Sequence, residues 1–244
     1  MISNLKVGCC GFPVDKVKYG QSFNVVEVQQ IFYQPPRIST LQKWRALMPA
    51  QFEFTLKAWQ LITHTAKSPT FRRLKIKLTP RELEQCGAFQ NTRMVNNAWD
   101  LTRACAEALG ASLVLFQCPA SFTPSEQNVE QMREFFTTVE RNKLKMLWEP
   151  RGQWPDALVQ LLCLELDLIH VVDPFLTRPV TKGLLYLRLH GGKGFKHIFT
   201  AEELQSVAAL VPSNKPAYVM FNNIKMWDDA GRFQALVDSS SRRV

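Results

Sequence analysis

The sequence predicts a single (β/α)8 barrel, and three observations favour this fold class. Short β-rich runs recur along the chain and end in charged or amide residues, which is typical of barrels whose active sites lie at the carboxyl ends of the strands. Helical patterns separate most of these runs. The length of 244 residues suits one barrel domain. An open doubly wound sheet is the alternative, but the first strand lacks the glycine-rich phosphate-binding turn of that fold.

The expected strands are apolar or alternating runs bounded by turn residues. They span residues 5–9, 24–29, 52–57, 113–117, 145–149, 168–172, 184–190 and 217–222. The residues between them predict helices from apolar spacing, most clearly a long helix that ends at Gly110. Ser39 and Thr200 resemble capping-box residues, and Thr123 is expected to start a further helix. Prolines in the link before the seventh strand argue against a full helix there.

The connection between the third and fourth strands, about residues 59–111, is too long for a plain barrel connection and forms a basic insert. Its cationic residues are Lys67, Arg72, Arg73, Lys75, Lys77 and Arg81. A solvated loop is one interpretation. The other is a nucleic-acid guide, with Trp59 or Phe71 available to stack bases. We expect one barrel domain over residues 1–238 and a frayed tail over residues 239–244.

The composition favours an anionic partner. Thirty basic and 21 acidic residues give a net charge of +9, which suits phosphorylated metabolites, nucleotides or nucleic acid, although excess lysine also aids solubility. No apolar run reaches the length of a membrane span, and the first residues lack the zones of a signal peptide. We therefore expect no membrane partner and a cytoplasmic location. The six cysteines show no C-x-x-C spacing, which argues against structural zinc.

At the strand ends the sequence resembles the family of domain of unknown function 72, also called YecE-like, over nearly the whole chain. Six blocks in the same order carry the resemblance: Val26-Glu27-Val28 with Phe32-Tyr33, Phe54-x-x-Lys57 with Ile62-Thr63-His64, Leu115-x-Gln117-x-Pro119-x-Ser121-Phe122, Glu149-x-Arg151 with Trp154, Arg188-Leu189-His190-Gly191, and Phe221-Asn222-Asn223. The resemblance implies a TIM-type barrel and no particular reaction. This chain departs from the family pattern at Cys9, Gln29 and Gly152, which leaves open whether turnover is kept.

Four residues at the predicted strand ends are candidates for catalysis. They are Glu27, Lys57, Glu149 and His190. The two glutamates could act as general acid and base or share a metal ion. Alternatively, each glutamate forms an ion pair, with Lys57 and Arg151 as the expected partners. Lys57 could also bind phosphate or form a Schiff base.

Five further residues are candidates for substrate binding. They are His64, Gln117, Arg151, Arg188 and Asn222. The two arginines carry forked donors that suit phosphate or carboxylate. A divalent metal ion remains an open alternative because two glutamates, Asp173 and a histidine could ligate one, although no tight ligand spacing supports it. Since the strands of a barrel end at one rim, we expect the candidates to share one cavity.

The sequence thus predicts a hydrolase of an anionic, phosphate-bearing substrate, either a nucleotide or a nucleic acid. Arg151, Arg188 and Lys57 would hold the phosphate, a glutamate would activate water, and His190 would protonate the leaving oxygen. The alternatives are an isomerase or lyase of a small sugar or hydroxy acid, and a non-catalytic binding or scaffold protein on a decayed barrel.

Overall fold

The computed structural model describes residues 4–192 and 194–241 and confirms the predicted fold class. The strands in these residues are parallel and form a closed barrel in chain order, from β1 to β8. They are β1 Leu5–Cys9, β2 Val25–Val28, β3 Glu53–Lys57, β4 Leu113–Gln117, β5 Lys145–Glu149, β6 Leu168–Val172, β7 Leu185–Leu189 and β8 Ala217–Phe221. Four strands match their predicted limits, and the others are shorter by one residue at one or both ends.

Helices separate most of the strands. They are α1 Lys16–Ser22, α2 Gln30–Tyr33, α3 Ile38–Leu47, α4 Gln60–Thr63, α5 Pro80–Glu84, α6 Arg93–Leu109, α7 Glu126–Thr138, α8 Asp156–Glu165, α9 Ala201–Leu210 and α10 Met226–Ser241. A short 3-10 helix covers Pro69–Arg73. The link 173–184, which the structure describes throughout, contains no helix, as its prolines predict. Every helix in the described residues is too short or too polar to span a lipid bilayer.

Two of the predicted helix starts are wrong, and a third is confirmed. Ser39 lies inside α3, because the helix begins earlier, where the carbonyl of Arg37 accepts from the amides of Thr40 and Leu41. Ser125, not Thr123, caps α7 by accepting from the Asn128 amide. By contrast, Thr200 forms the predicted capping box at the start of α9.

The described residues divide into two compact units. Unit 1 contains residues 4–27, 47–53, 169–192 and 194–241, and unit 2 contains residues 28–46 and 54–168. The prediction of one domain over residues 1–238 therefore stays a prediction. Helix α10 continues to Ser241 and so includes residues 239–241 of the expected tail, while residues 242–244 lie outside the described part of the chain.

The hydroxyl of Tyr19 organises the packing of unit 1. It accepts from the amide of Cys9 and donates to the carbonyl of Val25, each at 2.8 Å. The fully buried ring thereby joins α1 to the ends of β1 and β2. A Cβ on Gly8 would lie 2.3 Å from the Val25 carbonyl oxygen, so only glycine permits this approach between the two strands.

Unit 2 packs around phenylalanine rings that belong to the insert, β4 and α7. Phe89, Phe116, Phe135 and Phe136 are buried, with ring centroids between 5.1 and 6.0 Å apart for the contacting pairs. The long insert between β3 and β4 is confirmed as α4, the 3-10 helix, α5 and α6. The apolar stripe of α6 covers the strands. The residues on the outer side of the insert therefore remain exposed to solvent.

Trp59 is not available to stack bases, contrary to the sequence-based expectation. Its side chain is buried at the start of α4, and its amide donates to the Thr102 hydroxyl on α6. The aromatic ring therefore belongs to the packing of α4 on α6. Phe71 is half-buried, and the nearby guanidinium of Arg73 lies 3.5 Å from the centroid of the Tyr33 ring.

Candidate functional site

A fully buried ion pair lies at the centre of the candidate site in unit 1. Glu27 on β2 and Arg188 on β7 are both 0% exposed. The Arg188 Nη2 donates to Glu27 Oε1 at 2.8 Å, and Nε lies 3.1 Å from both carboxylate oxygens. Burial of either charge alone would cost several kcal/mol, so this geometry is required for the pair to be tolerated.

Tyr186 completes the surroundings of the Glu27 carboxylate. Its hydroxyl donates to Glu27 Oε2 at 2.8 Å. Tyr186 and Arg188 are two residues apart on β7 and therefore project from the same face of the strand. The Tyr186 ring stacks on Tyr218 at 5.4 Å, and Tyr218 in turn donates to Glu53 at 2.7 Å. Tyr186 was missed in the sequence, although its spacing from Arg188 was a usable signal.

His190 follows β7 and is the more exposed member of this group. Its amide donates to Asp173 Oδ2 at 3.0 Å, which fixes the backbone after the strand. The ring nitrogen Nε2 lies 3.4 Å from Arg188 Nη1, and Nδ1 lies 3.1 Å from the amide group of Asn222. Because a guanidinium can only donate, Nε2 is the acceptor in the first contact. A neutral His190 then carries its proton on Nδ1, and the Asn222 amide, whose Nδ2 faces Nδ1 here, must be flipped so that its oxygen accepts that proton.

The candidate site in unit 2 begins with Lys57 at the end of β3. Lys57 is only 6% exposed, and its Nζ lies 3.4 Å from the centroid of the Phe32 ring. Such a contact attracts the ammonium to the negative face of the ring. His64 lies against the same ring, edge to face, at 4.9 Å. Phe32 therefore holds the two candidate residues on one aromatic surface.

The electrostatic environment keeps His64 neutral. Burial, with a smaller contribution from the charge of Lys57, lowers the pKa of His64 from 6.5 to about 3. Its Nδ1 is 2.8 Å from the Thr63 hydroxyl. At neutral pH a histidine with this pKa is a hydrogen-bonding group rather than a general base, because an imidazole that is protonated only near pH 3 is too weak a base to accept a proton efficiently.

The other ion pair among the candidate residues lies in unit 2, at the end of β5. Arg151 Nε is 2.7 Å from Glu149 Oε1, and the side chains are 28% and 3% exposed. Gln117 lies opposite Glu149 in the β4–β5 register. Burial raises the pKa of the neighbouring Cys118 thiol to about 12, while Glu149 raises this pKa and Lys57 lowers it. Both charges are thus close enough to act on one sulfur atom.

The structure therefore groups the predicted residues within each unit. Unit 1 brings together Glu27, Arg188, His190 and Asn222, and unit 2 brings together Lys57 with His64 and Glu149 with Arg151 and Gln117. Arg151 pairs with Glu149, and it was one of the two partners expected for the glutamates. Glu27 pairs with Arg188, which was not among the expected partners. The expectation that all the candidates share one cavity stays a prediction.

Two of the departures from the family pattern have structural consequences. Burial raises the pKa of the Cys9 thiol to about 12, so this residue is held as a thiol, which disfavours nucleophilic attack. A Cβ on Gly152 would lie 3.0 Å from the carbonyl oxygens of both Ala120 and Phe122, so a histidine at this position would displace the loop.

Side chains that could ligate a divalent metal ion do not lie together in residues 4–192 and 194–241. No group of three or more His, Cys, Asp or Glu side chains lies together there. The two candidate glutamates are instead paired with cations, Glu27 with Arg188 and Glu149 with Arg151. We therefore derive no reaction step through a metal.

Comparisons with known proteins identify similar sequences and folds. The family model described as "Protein of unknown function DUF72" matches residues 17–244. A solved DUF72 family protein (EF0366) from Enterococcus faecalis V583 is 17% identical, with 96% of this chain and 97% of that chain covered and a TM-score of 0.74. No curated protein matches the chain.

Two solved enzymes share the fold at lower identity. D-psicose 3-epimerase, solved in the presence of D-fructose, is 10% identical, with 96% and 98% of the two chains covered and a TM-score of 0.59. Endonuclease IV from Thermus thermophilus is also 10% identical, with 98% and 100% covered and a TM-score of 0.56. At such identities the similarity concerns the fold alone.

Replacing Arg188 with methionine should destabilise the protein by about 3–5 kcal/mol, because the carboxylate of Glu27 would remain buried without its cation. The measurement is urea unfolding at neutral pH. The double variant Glu27→Leu with Arg188→Met should recover much of the loss, since it removes both charges. Equal losses in the single and double variants would contradict the buried pair as the cause.

The free energy of unfolding should fall as the solution is acidified, because His64 binds a proton when unfolded but not when folded. With pKa values of about 3 folded and 6.5 unfolded, stability is complete above pH 6.5 and declines toward pH 3. Between pH 7.5 and pH 5 the loss from this residue is about 2 kcal/mol. Urea unfolding should show that loss in the parent but not in His64→Gln, and His197→Gln is the control. Identical pH profiles would contradict the lowered pKa.

Proposed function

We propose that this chain, which belongs to the DUF72 family of proteins of unknown function, is a hydrolase of an anionic, phosphate-bearing substrate. The observation that carries the proposal is the charge balance at the ends of β3 and β5 in unit 2. Lys57 and Arg151 provide two formal positive charges, and Glu149 provides one negative charge. His64 is neutral. The group therefore has a net positive charge that favours an anion.

Arg151 is the residue that a dissolved anion reaches first. Its side chain is 28% exposed, whereas Glu149 is 3% exposed. A guanidinium can bind a carboxylate and a phosphate through different edges of its planar fork. Lys57 is nearly buried against Phe32, in surroundings of low polarity where its charge acts more strongly than in water.

Glu149 is the candidate general base in unit 2. In the proposed step its carboxylate accepts a proton from water as the water oxygen attacks phosphorus. The bond from phosphorus to the leaving oxygen breaks, and its electron pair stays on that oxygen. Arg151 and Lys57 stabilise the negative charge that develops on the phosphoryl oxygens.

In unit 1, His190 is the candidate for proton exchange with a ligand. It is partly exposed, while Glu27 and Arg188 are completely buried. We assign Glu27 and Arg188 as positioning residues, because the pair fixes the guanidinium that contacts His190 Nε2. Asn222 and Asp173 restrain the ring and the backbone of the same histidine.

A nucleotide or nucleic acid is the form of substrate that the charge distribution favours. Residues 54–81 contain no acidic residue and carry Lys57, Lys67, Arg72, Arg73, Lys75, Lys77 and Arg81. Such a run attracts phosphates through long-range electrostatics. The fold of endonuclease IV is similar to that of this chain, which is compatible with a nucleic-acid substrate.

A small-molecule isomerase or lyase is the second candidate, and the neutral His64 beside Lys57 favours it. A neutral imidazole can polarise a carbonyl, and a largely desolvated lysine can attack one. The similar fold of D-psicose 3-epimerase is compatible with a sugar substrate. A non-catalytic binding protein is the third alternative, for which partner affinity would survive replacement of Glu149 and His190 together.

The hydrolase proposal is tested by release of nitrophenol from p-nitrophenyl phosphate and bis(p-nitrophenyl) phosphate, and by cleavage of a single-stranded oligonucleotide. We expect Arg151→Ala to lower kcat/KM about 100-fold on the active substrate, because a charge-stabilising donor is lost. Arg133→Ala is the matched control, since Arg133 pairs with Glu165 at the surface of the same unit. Failure of the parent protein to cleave any of the three, or equal losses in both variants, would refute the proposal.

The second candidate is tested by borohydride reduction in the presence of ketose or aldose sugars, followed by peptide mass analysis. An imine at Lys57 would leave a stable sugar adduct on that residue and favour isomerisation over hydrolysis. Lys67→Gln should label as the parent does, and Lys57→Gln should not label. Absence of any adduct at Lys57 would argue against the Schiff-base route.

A further inference from the structure

A cavity of about 360 Å³ opens in unit 1 beside β7. It exists because the link 173–184 between β6 and β7 forms no helix. In this fold a helix normally covers the outer face of each pair of neighbouring strands. Here the connecting segment and α9 enclose the space instead.

The cavity lies on the opposite face of β7 from the buried ion pair. Tyr186 and Arg188 project toward Glu27, so the alternate residues Leu185 and Leu187 project the other way. These two leucines line the cavity. A ligand there would contact neither member of the ion pair.

The rest of the lining is mostly apolar. Phe175 comes from the link, and Val207 and Leu210 come from α9. Leu210 is 50% exposed, and the neighbouring Leu176 is 62% exposed. Concave apolar spaces of this volume, with a few polar groups at the edge, are typical of small-ligand sites.

Positive charge is present at the edge of the cavity, and the described residues that line it include no carboxylate. Arg178 lines the cavity and is exposed, with the hydroxyl residues Thr177 and Ser206 alongside. Within residues 4–192 and 194–241, no carboxylate forms an ion pair with Arg178. An apolar space with a single cation at its edge is complementary to a molecule with an apolar body and one negative charge.

We propose that this cavity binds an amphiphilic monoanion of the class of medium-chain carboxylates, with the chain against the accessible side chains of Phe175, Leu185 and Leu210 and the carboxylate at Arg178. The hydrocarbon displaces water from the apolar walls, which supplies the affinity. The guanidinium binds the carboxylate at the solvent edge, where neither charge must be desolvated completely.

The experiment is calorimetric titration of the full chain with sodium octanoate below its micelle-forming concentration. We expect one saturable site. Hexanoate should bind about fifteenfold more weakly, because each methylene removed from the apolar wall changes the affinity about fourfold. Ser206→Trp, which fills the cavity from an exposed position, should abolish binding.

The charge requirement is tested with Arg178→Gln, which should weaken octanoate about fivefold and leave octan-1-ol unchanged. Arg72→Gln is the matched control, because it removes the same charge from another exposed arginine. Retained binding in Ser206→Trp, equal effects of the two arginine substitutions, or no binding by the parent would overturn the proposal. Self-association that Ser206→Trp abolishes, without octanoate binding, would assign the cavity to a second copy of the chain and also overturn it.

Discussion

The pairing of Glu27 with Arg188 is the constraint on which the candidate site of unit 1 depends. Two formal charges with no solvent exposure are tolerated only when each lone pair and each donor is directed at a partner. Three short contacts join the carboxylate to the guanidinium, and Tyr186 supplies another donor. The alternatives to this arrangement leave an uncompensated charge, so the side chains of β2 and β7 have one favourable geometry.

The fixed position of Arg188 also restrains His190, the more accessible residue next to it. Arg188 also contacts the ring of His190, whose backbone is held by Asp173. Rotation of the imidazole would break the contact with the guanidinium, which itself cannot turn without leaving Glu27. The ion pair is thus a rigid support for the partly exposed ring of His190.

The sequence predicted local features well because their causes are local. The alternation of β3, the apolar run of β4 and the glycine that ends α6 each depend on neighbouring residues, and their positions were predicted to within one residue. The partner of Glu27 was not predictable, because Arg188 is 161 residues away in the sequence. Spacing could place both residues at strand ends, but it could not show that the two charges neutralise each other.

The errors at Trp59 and Ser39 have different origins. A tryptophan in a polar, basic segment looks accessible in the sequence, yet the later helix α6 covers it. Ser39 has the composition of a helix cap, but Arg37 already provides the first accepting carbonyl of α3. At Trp59 the deciding contact is formed 43 residues away in the sequence, whereas at Ser39 it is a local backbone contact that side-chain composition alone does not reveal.

Burial also separates two kinds of cation that the sequence treats alike. Arg151 and Arg188 both follow an apolar run and both suit phosphate by chemistry. Arg188 is 0% exposed and is enclosed with Glu27, whereas Arg151 is 28% exposed beside a carboxylate that is 3% exposed. A ligand would have to displace a buried carboxylate to occupy Arg188, but it can approach Arg151 from solvent. For this reason we propose the anion-binding role for Arg151 and the positioning role for Arg188.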